Sequence, residues 1–298
     1  NCGHTKLIQD ADTFDTWFSS GQWPFATLLS GKSSKLKTNS SKLQIQVPGT
    51  EDFDYFYPTS VMETGYDILP FWVIRMIMLG LYVTNDVPFK KVLLHGLVRD
   101  AQGEKISKSK GNVIDPSEMV QKYGADALRM GLIWSALVEN DISLSEDNIR
   151  GQRNFSNKIW NIARFVFSNE SGIQNSKISK AWRFALKNQK SKLRMRNKDD
   201  RWILDELKTT TKKVTKALDN YRLNEAAEEI YGFVWNKFAS IYLEKSKSRR
   251  VDAQPTLEFA LQHVLKLLHP FMPFVTEAIW SLGFAQGKQS LTLRDKQD

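Results

Sequence analysis

The sequence predicts an α/β region followed by an all-α region, and three observations carry that expectation. Residues 61–64 and 91–98 are short apolar runs that flank the long apolar stretch 68–81. That spacing is a strand, a helix and a second strand paired in parallel. From Gly151 onward, apolar residues recur at helical intervals. The charge divides at the same place: 15 Lys and Arg stand against 18 Asp and Glu in residues 1–150, and 27 against 15 in residues 151–298.

Residues 1–28 are mixed and rich in aromatics. Residues 30–50 are polar, with Ser, Lys and Gly, and read as a surface loop or insertion. Gly31-Lys32-Ser33 is the tail of a phosphate-loop pattern, but the leading glycine would fall on Ala26, so the match is rejected. Val61-Met62-Glu63-Thr64 reads as a strand and Gly65-Tyr66-Asp67 as a tight loop. Residues 68–81 read as a buried helix and residues 91–98 as a second buried strand. Asp115, Pro116 and Glu118 form a helix start, with Gly124 as its stop and a further helix over 125–138. Phe155, Ile159, Ile162 and Val166 share one helical face; so do Trp202, Leu207, Val214 and Leu218, and then Ala227, Ile230, Val234 and Phe238. Residues 257–268 and 273–282 supply further helices, and 169–200 is a basic, polar connection.

Composition narrows the function. A length of 298 residues suits two domains. The most apolar stretch holds Arg75, so no membrane span is expected, and no signal peptide is visible. One cysteine excludes an internal disulfide and fits a reducing compartment, the cytoplasm. The basic second half suits either a polyanionic partner, nucleic acid foremost, or a plain soluble basic helical domain; charge alone does not choose between them. The four histidines, His4, His95, His263 and His269, form no catalytic or metal-binding spacing with carboxylates. Cys2 and His4 have the spacing of a zinc-knuckle tail, but one cysteine does not make a structural zinc site.

The chemistry-bearing residues cluster in the first half. Gly103-Glu104-Lys105-Ile106-Ser107-Lys108-Ser109-Lys110-Gly111 gathers three mobile cations that suit a polyphosphate, although by itself such a run reads more readily as a solvated basic turn. Gly65 leaves room for a ligand at a strand end, and Asp67 offers two acceptors to ribose hydroxyls or caps a helix. Trp17, Ile68 and Trp72 suit either a small apolar pocket or core packing. Gly96 would let a planar base lie against the backbone.

Together these segments resemble one family. The KISKS run resembles the KMSKS loop of class I aminoacyl-tRNA synthetases, with Ile106 for methionine. DTFDTWFSSGQWPF, FYPTSVMETGYDILPFWVIRMIMLGL, KYGADALR, NFSNKIWNIARFV, DRWILDEL, ALDNYRLNEAAEEIYGFVW and LLHPFMPFVTEAIW are similar, in order and spacing, to the valyl-tRNA synthetase family. The resemblance implies the second half of a Rossmann catalytic domain over 1–100, the loop and supporting helices over 101–150, and an anticodon-binding bundle over 151–298. It implies that valine, ATP with Mg²⁺, and tRNA(Val) are the substrates and partners. Trp17, Ile68 and Trp72 match the valine pocket; Gly65 and Asp67 the ribose turn; Gly96 and Val98 the adenine contact. Lys105 and Lys108 match the phosphate-stabilising lysines. Lys158, Asn161, Arg164 and Phe165 match the anticodon-reading helix, where Lys158, Asn161 and Phe165 share a face by their spacing and Phe165 could equally belong to the apolar face. In a longer protein with further ligands before Asn1, Cys2 would be an orphaned zinc-knuckle ligand and Zn²⁺ a candidate cofactor. The family's His-x-Gly-His motif, editing domain and coiled-coil arm do not occur in these residues, so the chain by itself is expected not to form adenylate. Isoleucyl-tRNA synthetase and a non-catalytic tRNA-binding module are the alternatives.

Overall fold

The computed structural model describes residues 10–29, 51–100, 102–104, 106, 114–134, 136, 141–168 and 197–283, with the backbone of 37–38 and 45–46. It divides into two units, residues 1–97 and 98–298.

The first unit opens with two short helices, α1 (Thr16–Ser20) and α2 (Trp23–Leu29). Asp15 caps α1 by accepting from the Trp17 N–H. A two-residue antiparallel ladder, β1 (Lys37–Thr38) with β2 (Ile45–Gln46), falls in the polar insertion, and α3 (Glu51–Phe56) follows. Strand β3 (Met62–Gly65) leads into one 3-10 turn (Tyr66–Ile68), a π-helical turn (Leu69–Val73) and α4 (Ile74–Thr84). Asn85 ends α4 in the left-handed conformation, and β4 (Val92–His95) returns parallel to β3. This is the expected strand–helix–strand unit, with Met62 opposite Val92 and Gly65 opposite His95.

Two expectations need correction here. The helix after β3 is not buried: Val73, Met76 and Gly80 face inward, while Ile74, Met78, Leu81 and Tyr82 are exposed. Its side chains are apolar all round, and only one stripe meets the small cluster of Met62, Val73, Met76 and Phe89. Residues Tyr66–Thr84 therefore pass as a membrane span by length and composition, despite Arg75. Their place as the crossover of a βαβ unit accounts for the same apolarity. Nor do residues 91–98 form one buried strand. β4 stops at His95 with exposed ends, and β5 (Val98–Arg99) begins a separate ladder beyond the buried Gly96.

In the second unit β5 pairs parallel with β6 (Ile142–Ser143). Between them lie α5 (Pro116–Tyr123) and α6 (Ala125–Trp134). Asp115 caps α5 through the Ser117 N–H at 2.7 Å, as its sequence position predicts, and Gly124 ends it at φ 91°. Helix α7 (Glu146–Phe167) starts earlier than Gly151, because Ser145 caps it at the Asn148 N–H and Glu146 and Asp147 occupy its first turn. Helix α8 (Lys198–Asp219) is followed by α9 (Leu223–Gly232), which runs on as a π-helical stretch (Phe233–Leu243). Helices α10 (Arg250–Leu268) and α11 (Pro273–Gly283) complete the bundle.

The predicted apolar faces meet in one continuous core: Phe155, Ile159 and Val166 of α7, Ile203 and Val214 of α8, Ile230 of α9, and Leu257 and Leu265 of α10. Asp126 ties α6 to the bundle by accepting from the Phe274 and Val275 N–H groups at the start of α11, at 3.1 and 2.6 Å. Arg129 adds bonds to the Pro270 and Phe271 carbonyls.

Candidate active site and nucleic-acid interface

The C-terminal edge of the β3–β4 ladder gathers Gly65, Asp67 and Gly96. Gly65 and His95 are register partners, so both strands end at the same level. A Cβ added to the buried Gly65 would lie 2.8 Å from Asp67 Oδ1, 3.6 Å from Leu97 Cδ2 and 3.7 Å from His95 Cε1. The exposed Asp67 thus folds its carboxylate back over the space that a side chain at Gly65 would take, and a Cβ there would require the carboxylate to move aside. Ligands of open parallel sheets sit outside such an edge. His95, not anticipated as a site residue, bonds the Gly96 carbonyl through Nδ1 at 2.9 Å, and its Nε2 lies 3.2 Å from Glu63 Oε1. Val98 sits apart from this edge in chain terms: it opens β5 and packs on Tyr123, Ala127, Leu128 and Ile149 in the second unit.

A second group brings the two indoles to one helix pair. Trp72 Nε1 donates to the Ser20 carbonyl at 3.1 Å, and Trp17 stacks on Phe71 with centroids 6.0 Å apart. Both indoles are half-buried, as is Ile68 at the end of the 3-10 turn. Phe71 was not singled out by sequence; its place beside Trp72 in an aromatic pair was the available signal. Arg75 pins α1 to α4 through Asp15 at 2.8 Å. The Trp17 N–H and the Arg75 guanidinium hold the Asp15 carboxyl below its ordinary range. Lys105 and Lys108, with Cys2 and the 169–196 connection, lie outside the described residues.

The third group lies along α7. After Asp147 this helix carries no acid, and its exposed positions include Arg153, Asn157, Asn161 and Arg164. Among the described residues, the side chains of Arg153, Asn161 and Arg164 have no hydrogen-bonding or ionic partner. Several cations elsewhere in the bundle are paired: Lys213 with Glu229, Lys237 with Glu206, Lys245 with Asp199 and Arg249 with Asp200. Lys158 lies over the Trp235 ring at 5.2 Å, and Trp235 stacks on Tyr231. Phe165 is half-buried against the core, with Arg250 Cζ 4.5 Å from its ring centroid. A groove of about 330 Å³ lined by Trp160, Arg164, Phe167 and Leu282 opens beside it. A larger groove, about 750 Å³, runs between α8 and α9, but Lys213, Arg222 and Lys237 on its wall are already paired with glutamates.

Residues 1–145 match the family described as tRNA synthetases class I (I, L, M and V), and residues 200–297 match the anticodon-binding domain of tRNA ligases. The chain belongs to the class I tRNA synthetases. A valine–tRNA ligase of Geobacter sulfurreducens is 43% identical over 94% of this chain and 29% of its own length. One from Symbiobacterium thermophilum is 41% identical over 99% of this chain and 29% of its own. The chain therefore spans less than a third of the length of these relatives. The Agrobacterium radiobacter K84 LeuRS, solved in a ternary complex with tRNA and LeuAMS, shares the fold at TM-score 0.69 and 23% identity, over 95% of this chain and 32% of its own.

Among the described residues no group of three or more His, Cys, Asp and Glu could hold a metal ion. A cysteine-based structural zinc site does not fit this chain by itself, since Cys2 is its one cysteine.

Proposed function

We propose that this chain forms part of a valine–tRNA ligase, which joins valine to ATP as valyl-adenylate, releases pyrophosphate and passes the valyl group to tRNA(Val). Identity of 41–45% to valine–tRNA ligases across nearly the whole chain carries that reading. The ladder edge supports it chemically. Asp67 would accept from the ribose hydroxyls, and the bare backbone at Gly65 and Gly96 would let the nucleotide lie close, with Val98 completing the adenine contact. Trp17, Ile68 and Trp72 would enclose the valine side chain. Lys105 and Lys108 would stabilise the charge that grows on the phosphates during in-line displacement. Mg²⁺ would arrive on the ATP phosphates. Lys158, Asn161, Arg164 and Phe165 would hold the anticodon: cations on phosphate, the amide on base edges, the ring stacked on a base. The setting proposed is cytoplasmic, with no membrane partner.

ATP–pyrophosphate exchange with valine, isoleucine and leucine tests this, run on the 298-residue chain and on the complete gene product. The complete product should exchange with valine in preference. The 298 residues alone, which contain no His-x-Gly-His, should give none. Equal exchange with isoleucine would overturn the assignment, because a methylene separates the two substrates by only ~1–3 kcal/mol and the pocket must supply that difference.

A further inference from the structure

The last turn of α7 is held by a side chain from another helix. Arg250, the first residue of α10, sends Nη2 to the Phe165 carbonyl at 2.5 Å and to the Val166 carbonyl at 3.0 Å. Gln254, one turn on, donates to the same Val166 carbonyl at 2.9 Å and accepts from Arg250 Nη1. Gln254 also donates to Glu258 Oε1 at 2.5 Å. Burial pushes the Glu258 carboxyl up. Helix ends leave carbonyls without partners, and a cation there is favoured by the dipole. This much is ordinary capping, performed by a residue distant in sequence.

The guanidinium does something further. It lies over the Phe165 ring, with Cζ 4.5 Å from the centroid. One planar group therefore fixes both the main chain and the ring of the same residue. Lysine cannot reproduce this, because a compact ammonium on a flexible stem has no fork to span two carbonyls while covering a ring. Stacking a base on an aromatic ring yields more affinity when the ring is already oriented, since binding then pays less to order it.

We propose that Arg250 is a positioning residue for anticodon recognition, locking the Phe165 ring as a preformed platform for an unpaired base. The proposal rests on the reading of Phe165 as that platform. Arg250 occupies one face of the ring, which directs the base to the side facing away from it. Gln254 supports the arrangement by accepting from the arginine while donating to the Val166 carbonyl that the arginine also holds.

The test is a double-mutant cycle on the 298-residue chain. Affinity is measured for a synthetic RNA hairpin carrying the anticodon loop of a valine tRNA, and for the same hairpin with its anticodon bases permuted. Phe165→Ala should bind the first hairpin about thirtyfold more weakly, the middle of the range for one stacked base. Arg250→Lys should lose a comparable factor and narrow the preference for the valine loop. Its salt dependence should match wild type, because the charge is kept. Adding Arg250→Lys to Phe165→Ala should cost nothing more. If Phe165→Ala binds like wild type, the platform reading fails and this proposal with it. If Phe165→Ala weakens binding while Arg250→Lys does not, the platform stands and the role of Arg250 is overturned. Fully additive losses would also overturn it, because Arg250 would then act on the RNA without Phe165. Arg250→Ala, checked by circular dichroism, adds a larger perturbation; a lower Tm with unchanged affinity and preference would reduce Arg250 to a helix cap.

Discussion

Helices α4 and α7 both bury a stripe, yet they end in opposite circumstances. Helix α4 is apolar on every side, and its inward stripe meets only a small cluster, so that Ile74, Met78 and Leu81 remain 44%, 64% and 45% exposed. Helix α7 is far more polar, and its inner face is buried throughout: Phe155, Ile159, Ile162 and Val166 join the continuous bundle core, and Ile149 joins the smaller cluster beside it. An amphipathic helix is completed by one packed face, whereas a helix apolar all round needs cover on more than one side. Helix α7 is thus satisfied by residues of its own unit. The first unit carries an apolar surface of the kind that marks a contact site or an aggregation liability.

The largest expected effect breaks the second unit at its buried ion pair. Arg249 grips Asp200 with two bonds, at 2.6 and 3.0 Å, and Tyr242 donates to the same carboxylate at 2.6 Å. Asp200→Ala leaves a guanidinium with little water and no partner, a loss of about 3–5 kcal/mol in denaturant unfolding of the bundle. A loss below 1 kcal/mol would mean that the bundle tolerates a gap in its polar core as an exposed surface would.

Met76→Ala makes the matching cut in the first unit. Met76 is fully buried, so truncation should cost about 2–5 kcal/mol, near the low end because few buried neighbours surround it. A separate, earlier melting transition for residues 1–97, moved by Met76→Ala and not by Asp200→Ala, would sharpen the contrast. One shared transition moved by both would dissolve it.

How much of this was legible in the sequence follows the same division. Bundle helices declare themselves, because a single buried stripe writes a 3.6-residue period: Phe155, Ile159, Ile162 and Val166 are all in the core. The caps at Asp115 and Gly124 were readable because they depend on local chemistry alone. The exposure of α4 was not readable, since a uniformly apolar run has no period to show which side is covered. The break at Gly96 was hidden for a similar reason: 91–98 is continuous in composition, and only the pairing of Val98 with Ile142 divides it. In the candidate site, Gly65 and Asp67 were legible as a pattern, while the stacking of Phe71 on Trp17 and the reach of Arg250 to Phe165 join residues far apart in sequence.

A smaller effect concerns the tie between α1 and α4. Arg75→Ala removes the partner of Asp15, and both side chains are well exposed, so Tm should fall by less than with Met76→Ala. The pH dependence has a definite sign. Because the folded state holds the Asp15 carboxyl low, its contribution is present above the unfolded carboxylate range and fades as pH falls through the folded value. Arg75→Ala should therefore differ from wild type near neutral pH and converge with it in acid. A difference that persisted unchanged in acid would assign the loss to packing of the arginine stem.

The smallest expected effect is the most direct test of the comparison. Met78 stands on the outer side of α4, with its side chain mostly in solvent. Lysine has nearly the same helix propensity as methionine, so neither local structure nor the inner stripe of Val73 and Met76 should register the exchange. Met78→Lys should change unfolding free energy by no more than about 0.5 kcal/mol, the usual span for surface substitutions. It should nevertheless lower the concentration-dependent association of the chain, seen in sedimentation velocity, by placing a charge within the apolar face. The same substitution at Phe155, by contrast, would put an ammonium in a fully buried site of α7 and unfold the bundle. If Met78→Lys instead destabilised the 298-residue chain by 2 kcal/mol or more, on the scale of a core truncation, that face of α4 would be covered in solution. The two units would then not differ in the way their exposed residues indicate.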